Sequence, residues 1–235
     1  MIRRVRVAWP DPRLFADGRD AVRILAVSDA VDPALGWGAN RDALGRIDLV
    51  VGCGDLEPAA LGFVIDSFAA PSILVRGNHD TGAGWSQGVH LIPGVARSGV
   101  SIRGRLAGGG ELEVLPFGWS GTPGAVARRD EGAAWRDVLG ARARRAIRGH
   151  AGRPFIVISH APPLGAGDAP DPYHRGFRAY RWLLEGTRPV LWLHGHTPLA
   201  SVPWRVTCGS TTLVNVTGAV LVELVTSVPS RTMEA

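Results

Sequence analysis

Aspartates, an asparagine and histidines recur in this chain directly behind short apolar runs. The run at 22–27 ends at Ser28-Asp29, and the run at 47–51 at Gly52-Cys53-Gly54-Asp55. The run at 72–75 leads into Arg76-Gly77-Asn78-His79-Asp80, the run at 154–158 into Ser159-His160, and the run at 190–193 into His194-Gly195-His196. Four of the seven histidines fall in these segments. Oxygen and imidazole donors of this mixture suit manganese, iron or zinc better than calcium, and the lack of thiolates argues against a closed structural zinc site. Each residue alone has an ordinary role: an aspartate caps a helix, Gly-Asn makes a turn, a lone histidine is a satisfied core residue. Capping does not account for metal-capable groups behind five separate runs.

The elements that must position these groups follow from the same pattern. β-branched and apolar runs of four to six residues read as buried strands, with helices between them at 57–69, 130–148 and 177–185. In open α/β sheets, ligands gather beyond the carboxyl ends of strands, which is where these polar groups lie. Runs at 101–106 and 111–117 flank Gly108-Gly109-Gly110 and predict a hairpin. The 130–148 helix is expected to carry a solvated arginine-rich face. Three β segments at 202–206, 212–216 and 219–225 are spaced like a meander. Residues 1–20 read as an N-terminal extension with an edge strand at 5–9, residues 21–227 as one mixed α/β domain, and residues 228–235 as a tail.

With 46% hydrophobic and 20% charged residues among 235, the chain has enough apolar surface for one large core, and disorder is excluded as a general description. No stretch approaches the roughly 18 apolar residues of a membrane span. The apolar stretch behind Arg3 and Arg4 stops at Pro10-Asp11-Pro12, too early for a secretory signal, so cytoplasmic residence is expected. Cys53 and Cys208 form no Cys-x-x-Cys pair. All 26 basic residues are arginine, giving a net charge of +5. Arginine suits phosphate, but an excess spread along the chain is no basic patch, and nucleic acid is not the favoured partner.

The ordered blocks resemble those of the calcineurin-like metallophosphoesterases: Asp-x-His, Gly-Asp, Gly-Asn-His-Asp/Glu, a lone His, and Gly-His-x-His. Here they read Asp29-Ala30-Val31, Gly54-Asp55, Gly77-Asn78-His79-Asp80, Ser159-His160-Ala161-Pro162-Pro163 and Gly195-His196-Thr197-Pro198. The sequence is also similar to a bacterial subgroup with a Ser-Asp-x-Val-Asp first block, here Ser28-Asp29-Ala30-Val31-Asp32, and a later His174-Arg175-Gly176-Phe177. The resemblance implies a four-layer αββα sandwich of two mixed β-sheets flanked by helices. It implies one or two divalent ions per chain (Mn, Fe or Zn), with Asp55 bridging, Asn78, His160 and His196 at the second ion, and Asp29 at the first. His79 would stand beside the phosphate and serve the leaving oxygen. The implied activity is hydrolysis of a small phosphorylated substrate, a phosphodiester or phosphomonoester, by in-line attack of a metal-activated hydroxide.

Two imidazoles of the family pattern are replaced here, by Val31 and Pro198. His194 is a candidate substitute ligand, and Asp32 lies three residues past Asp29. Arg76, His174 and Arg175 are candidate substrate contacts, the last two at the start of the predicted 177–185 helix, where backbone amides hold anions. The alternative class is a weak or inactive protein that binds metal and a phosphoryl ligand with a degenerate first site. Oligomeric state is not specified by any of these residues.

Overall fold

Apolar runs with side chains that alternate between two covered faces dominate the architecture. In the computed structural model, which describes residues 2–16, 18–82, 85, 94–106, 110–122 and 128–227, the strands form two main sheets. The first has five strands in the order β1 (Arg3–Ala8), β13 (Thr217–Val225), β2 (Ala21–Val31), β3 (Leu49–Gly52) and β4 (Ser72–Leu74). The second has six: β11 (Arg205–Cys208), β12 (Thr211–Asn215), β10 (Leu191–His194), β9 (Ile156–Ser159), β6 (Glu111–Phe117) and β5 (Ile102–Arg105). A small ribbon pairs β7 (Gly121–Thr122) with β8 (Arg128–Arg129). Four helices accompany them among the described residues: α1 (Gly38–Asp42), α2 (Pro58–Phe68), α3 (Glu131–Ile147) and α4 (Arg178–Thr187).

Period two explains the layering. Val22, Ile24 and Ala26 of β2, Val51 of β3, Ile156 and Ile158 of β9, and Leu191 and Leu193 of β10 face inward into one cluster between the sheets. Their neighbours Leu25, Val27 and Val50 face outward against Leu61, Val64 and Ile65 of α2. On the other side Leu115, Phe117, Val157 and Trp192 meet Ala134, Val138 and Ala141 of α3 and Tyr180, Leu183 and Leu184 of α4. Covered on both faces, these strands read as continuous apolar runs. The arrangement is the expected four-layer αββα sandwich.

The expected N-terminal edge strand forms as β1, which pairs in parallel with β13, and Val5, Val7, Trp9, Leu14 and Phe15 are buried in the central cluster, so this segment is part of the sandwich. Two local readings change. The last three strands are not a meander. β11 and β12 pair antiparallel in the second sheet, but β13 crosses to the first and lies between β1 and β2. Its six consecutive buried residues demand a central position that a sheet edge does not supply. The arginine-rich helix is not uniformly solvated, because Arg145 is buried and ion-paired with Glu113 while Leu139 and Ile147 are exposed. Asp130 caps this helix by accepting the Ala133 N–H. The Ile102–Arg105 and Glu111–Phe117 strands form the expected antiparallel pair, and residues 107–109 lie outside the described residues.

β2, β3 and β4 are parallel to one another, as are β6, β9, β10 and β12. The polar segments that follow these strands meet across the gap between the sheets. The Trp119 N–H donates to the Arg76 carbonyl at 2.8 Å, and His160 Nδ1 meets the Cys53 carbonyl at 2.8 Å.

Candidate metal centre

Sharp chain reversals aim the donors. Asp29, Asp55 and His196 all have positive φ (60°, 56° and 67°), a conformation that costs a non-glycine residue roughly 1–2 kcal/mol. Asp29 lies where the β2–β13 register slips: Gly218 pairs with both Ser28 and Val31. Such irregularities re-aim side chains. The glycines of the motifs provide clearance for carboxylates. A Cβ on Gly77 would lie 2.0 Å from Asp55 Oδ1, and one on Gly195 would lie 1.9 Å from Ser28 Oγ and 2.5 Å from Asp29 Oδ2.

One atom each of Asp29, Asp55 and His160 lies within 4.8 Å of the other two. His160 is fully buried, and its Nδ1 meets the Cys53 carbonyl at 2.8 Å. A carbonyl accepts only, so Nδ1 carries a proton and Nε2 is the donor atom of the neutral ring. That Nε2 faces Asn78 Oδ1 at 2.7 Å and Asp55 Oδ2 at 3.2 Å. Three electron-pair donors thus converge on one point, and a divalent cation fits that donor set, with the Cys53 carbonyl fixing the imidazole behind it. Without a cation the same atoms titrate as a pair. Burial opposes charge on His160, but the Asp55 carboxylate outweighs it and raises the imidazole above its usual value. Burial likewise opposes charge on Asp55, and the His160 and His79 contacts outweigh it, lowering that carboxyl.

His196 packs its ring 4.9 Å from that of His160 and 5.2 Å from Trp119. Its Nε2 meets the Tyr173 carbonyl at 2.9 Å, which by the same reasoning leaves Nδ1 as its donor atom. Burial, then the neighbouring His160, pushes this imidazole down to about 3, so the ring is neutral and suited to a metal. Asp29 is held by the His196 N–H at 3.1 Å and by the Thr217 hydroxyl at 2.9 Å. These contacts bring Asp29, Asp55, Asn78, His160 and His196 together.

His79 stands at the rim, exposed, with its N–H donated to Asp55 Oδ1 at 2.7 Å. Its Nε2 lies 3.0 Å from the Tyr173 hydroxyl, which also takes the Asn78 side-chain N–H at 2.7 Å. Beside it opens a cleft of about 420 Å³ lined by Asp29, Val31, Asp55, Glu57, His79 and Trp85 among others.

The remaining sequence candidates do not join the converging donor atoms. His194 is buried with Nδ1 3.1 Å from the Gly195 carbonyl, and its Nε2 abuts Gly167, so the ring points at the 165–169 loop; burial lowers it to about 4. Asp32 caps a 3-10 turn through the Ala34 N–H. Arg76 lies over the Trp85 ring at 4.5 Å. His174 stacks 5.3 Å from His196 and pairs with Asp171. Arg175 is exposed and precedes the helix, since α4 starts at Arg178. The Tyr173 and His174 amides bond Asp171 Oδ1, and the Ala179 amide bonds Glu131, so these three N–H groups are already occupied.

The sequence matches the family model described as calcineurin-like phosphoesterase over residues 23–200. The chain belongs to this family. Crystal structures share the fold at low identity. One has TM-score 0.54 and 16% identity, with 84% of this chain and 91% of the other covered. Another, TT1561 of Thermus thermophilus, has TM-score 0.52 and 17% identity, with 84% and 90% covered. No curated protein matches.

As a calcineurin-like phosphoesterase the chain departs from the pattern on one side only. Val31, in place of the Asp-x-His histidine, packs against the outer apolar cluster, and Pro198, in place of the last histidine, is exposed. Sequence reasoning passed over three site residues. Tyr173 directly precedes the His174-Arg175-Gly176-Phe177 block, which marks its neighbours and not the tyrosine. Thr217 sits in a strand on the far side of the chain. Asp80 enters the sequence reading only as the last residue of the Gly-Asn-His-Asp block, yet accepts the N–H groups of Gly77, Asp55 and Leu56.

Proposed function

We propose that this calcineurin-like phosphoesterase is a metal-dependent hydrolase of small phosphodiesters or phosphomonoesters. The observation that carries the reading is the convergence of His160 Nε2, Asp55 Oδ2 and Asn78 Oδ1, with Asp29 within reach and His79 at the open rim. Asp55, Asn78, His160 and His196 would hold one divalent ion of the Mn, Fe or Zn type, and Asp29 with Asp55 would hold a second. Such ions polarise phosphoryl oxygens and make a water nucleophilic near neutral pH.

The chain's own groups do the rest. Asp55 binds from a position fixed by the His79 and Asp80 loops. Asn78 offers Oδ1 to the ion and keeps Nδ2–H for the substrate side. His79, exposed and beside the cleft, gives a proton to the leaving oxygen, a task for which an imidazole is matched to neutral pH.

The test is hydrolysis of bis(4-nitrophenyl) phosphate by purified protein with added manganese, with bound metal counted in the same sample. Turnover that is lost with a chelator and regained with manganese supports the reading. Metal bound without turnover on this diester or on 4-nitrophenyl phosphate overturns it.

One observation favours a second reading, a binding protein with a degenerate first site. Asp29 already accepts hydrogen bonds from the His196 N–H and the Thr217 hydroxyl, and Val31 and Pro198 stand where the family pattern has imidazoles. Val31→His with Pro198→His separates the two: a rise from negligible to measurable hydrolysis supports the binding role in the natural chain.

A further inference from the structure

The Tyr173 hydroxyl bonds the side chains of both Asn78 and His79, and its surroundings explain why it can do so reliably. The loop that carries it is closed at its neck, where the Leu164 N–H donates to the Phe177 carbonyl and the Phe177 N–H to the Pro162 carbonyl, both at 3.1 Å. Asp168 ties its two limbs, accepting the Gly165 N–H at 2.8 Å and the Gly176 N–H at 2.9 Å. The backbone of Tyr173 is fixed as well, through its N–H to Asp171 and its carbonyl to His196. The ring is nevertheless 42% exposed. A surface tyrosine held this firmly with its hydroxyl turned into a polar site is placed for contact with a ligand.

Donor accounting then places the hydroxyl. Asn78 presents Oδ1 to His160, so Nδ2 faces Tyr173 and donates to the phenolic oxygen. His79 Nε2 lies 3.0 Å from the same oxygen. The hydroxyl thus joins the Asn78 amide to the imidazole at the rim, and an oxygen of a phosphoryl group bound beside them is a matching acceptor for its hydrogen.

We infer that Tyr173 is a phosphoryl-contacting residue of this site, donating its hydroxyl hydrogen to an oxygen of the bound group while it holds Asn78 and His79 in register. The inference rests on the proposed phosphoester chemistry and adds to it a contact supplied by the loop between β9 and α4. The tyrosine acts by a hydrogen bond that strengthens as charge builds on the phosphoryl oxygens.

The chain has two tyrosines, which makes the contact directly observable. Tyr180 is buried and bonded to Ser120 Oγ and the Gly118 carbonyl, so 3-fluorotyrosine labelling gives one buried and one exposed fluorine signal. Zinc-loaded protein, free of paramagnetic broadening, is titrated with inorganic phosphate. The expected result is a saturable shift of the signal that Tyr173→Phe removes, with the Tyr180 signal unmoved. Tyr173→Phe should weaken phosphate binding and slow aryl phosphodiester hydrolysis by about ten- to a hundredfold with unchanged metal content. An unmoved Tyr173 signal, or phosphate affinity and rate equal to the natural chain's, overturns the inference. If phosphate shifts the signal and neither protein turns over substrate, the hydrolase reading fails and the contact stands. If the natural chain hydrolyses and the variant equals it, the contact alone fails.

Discussion

The carboxylate of Asp80 accepts the backbone N–H of Asp55 at 2.9 Å, while the Asp55 carboxylate accepts the backbone N–H of His79 at 2.7 Å. The loops behind β3 and β4 are thereby locked to each other through two acids of one site. Asp80 also takes the N–H groups of Leu56 and Gly77 and is almost fully buried. It therefore positions the Asp55 carboxylate through the backbone of both loops.

From this follows the behaviour of Asp80→Ala. Three buried N–H groups lose their acceptor, and orphaned donors cost roughly 1–3 kcal/mol each with partial relief from water. Unfolding in denaturant should show a loss of about 2–4 kcal/mol. Metal content should fall as well, since Asp55 is no longer held. A variant with natural stability and full metal content would refute the positioning role.

Arg145 gives a prediction that the surface reading of the helix would not have made. Its guanidinium pairs with Glu113, donates to the His150 carbonyl at 3.0 Å and the Arg153 carbonyl at 3.2 Å, and lies over the Phe155 ring at 3.7 Å. Removing one member of a buried pair strands the other charge. Arg145→Ala should lower stability by about 3–5 kcal/mol, measured by chemical denaturation, while the exposed Arg148→Ala should change it by less than about 0.5 kcal/mol.

The contrast between Arg145 and Asp55 shows what was legible beforehand. Strands such as Leu191–His194 were readable because they are apolar on both faces, and the donors because each follows such a strand. Arg145 was not, since its helical position said that it faces the core but an arginine said solvent, and the deciding partner, Glu113, is 32 residues away. The same holds for β13, whose place between β1 and β2 depends on pairings about 200 residues apart. Tyr173 was hidden for a different reason. Its role comes from a loop conformation set by Asp168 and Asp171, and a periodicity argument carries no information about loops.

Glu223 predicts an acid dependence of stability. On β13 it stands in register with Arg6 of β1 and Arg23 of β2, and its carboxylate pairs with both guanidiniums, at 3.0 and 3.3 Å. Burial alone would raise this carboxyl; the two arginines overcome that and hold it below its ordinary value. A carboxyl depressed in the folded state contributes stability above its unfolded value, near pH 4.3, and loses that contribution as the pH falls below it. Glu223→Gln should flatten the decline of unfolding free energy between about pH 5 and pH 3 relative to the natural chain. Parallel declines in both proteins would contradict the assignment.

Replacing His160 and His79 should separate holding the ion from using it. His160 is buried, and its Nε2 is one of the three converging donors, so His160→Ala removes a ligand and leaves the Cys53 carbonyl without its donor. Bound metal and turnover should vanish together, and excess manganese should restore little. His79 contributes a backbone N–H to Asp55, which any residue supplies, and a side chain that reaches Tyr173 at the rim. His79→Ala should therefore retain its metal while kcat falls about a hundred- to ten-thousandfold, the range expected for loss of a general acid. The loss should be larger for an ester with an alkoxide leaving group than for a nitrophenyl ester, whose leaving oxygen needs less help from a proton. Metal analysis with kcat on both esters decides it: loss of metal in His79→Ala, or equal losses on the two esters, would remove His79 from the acid role.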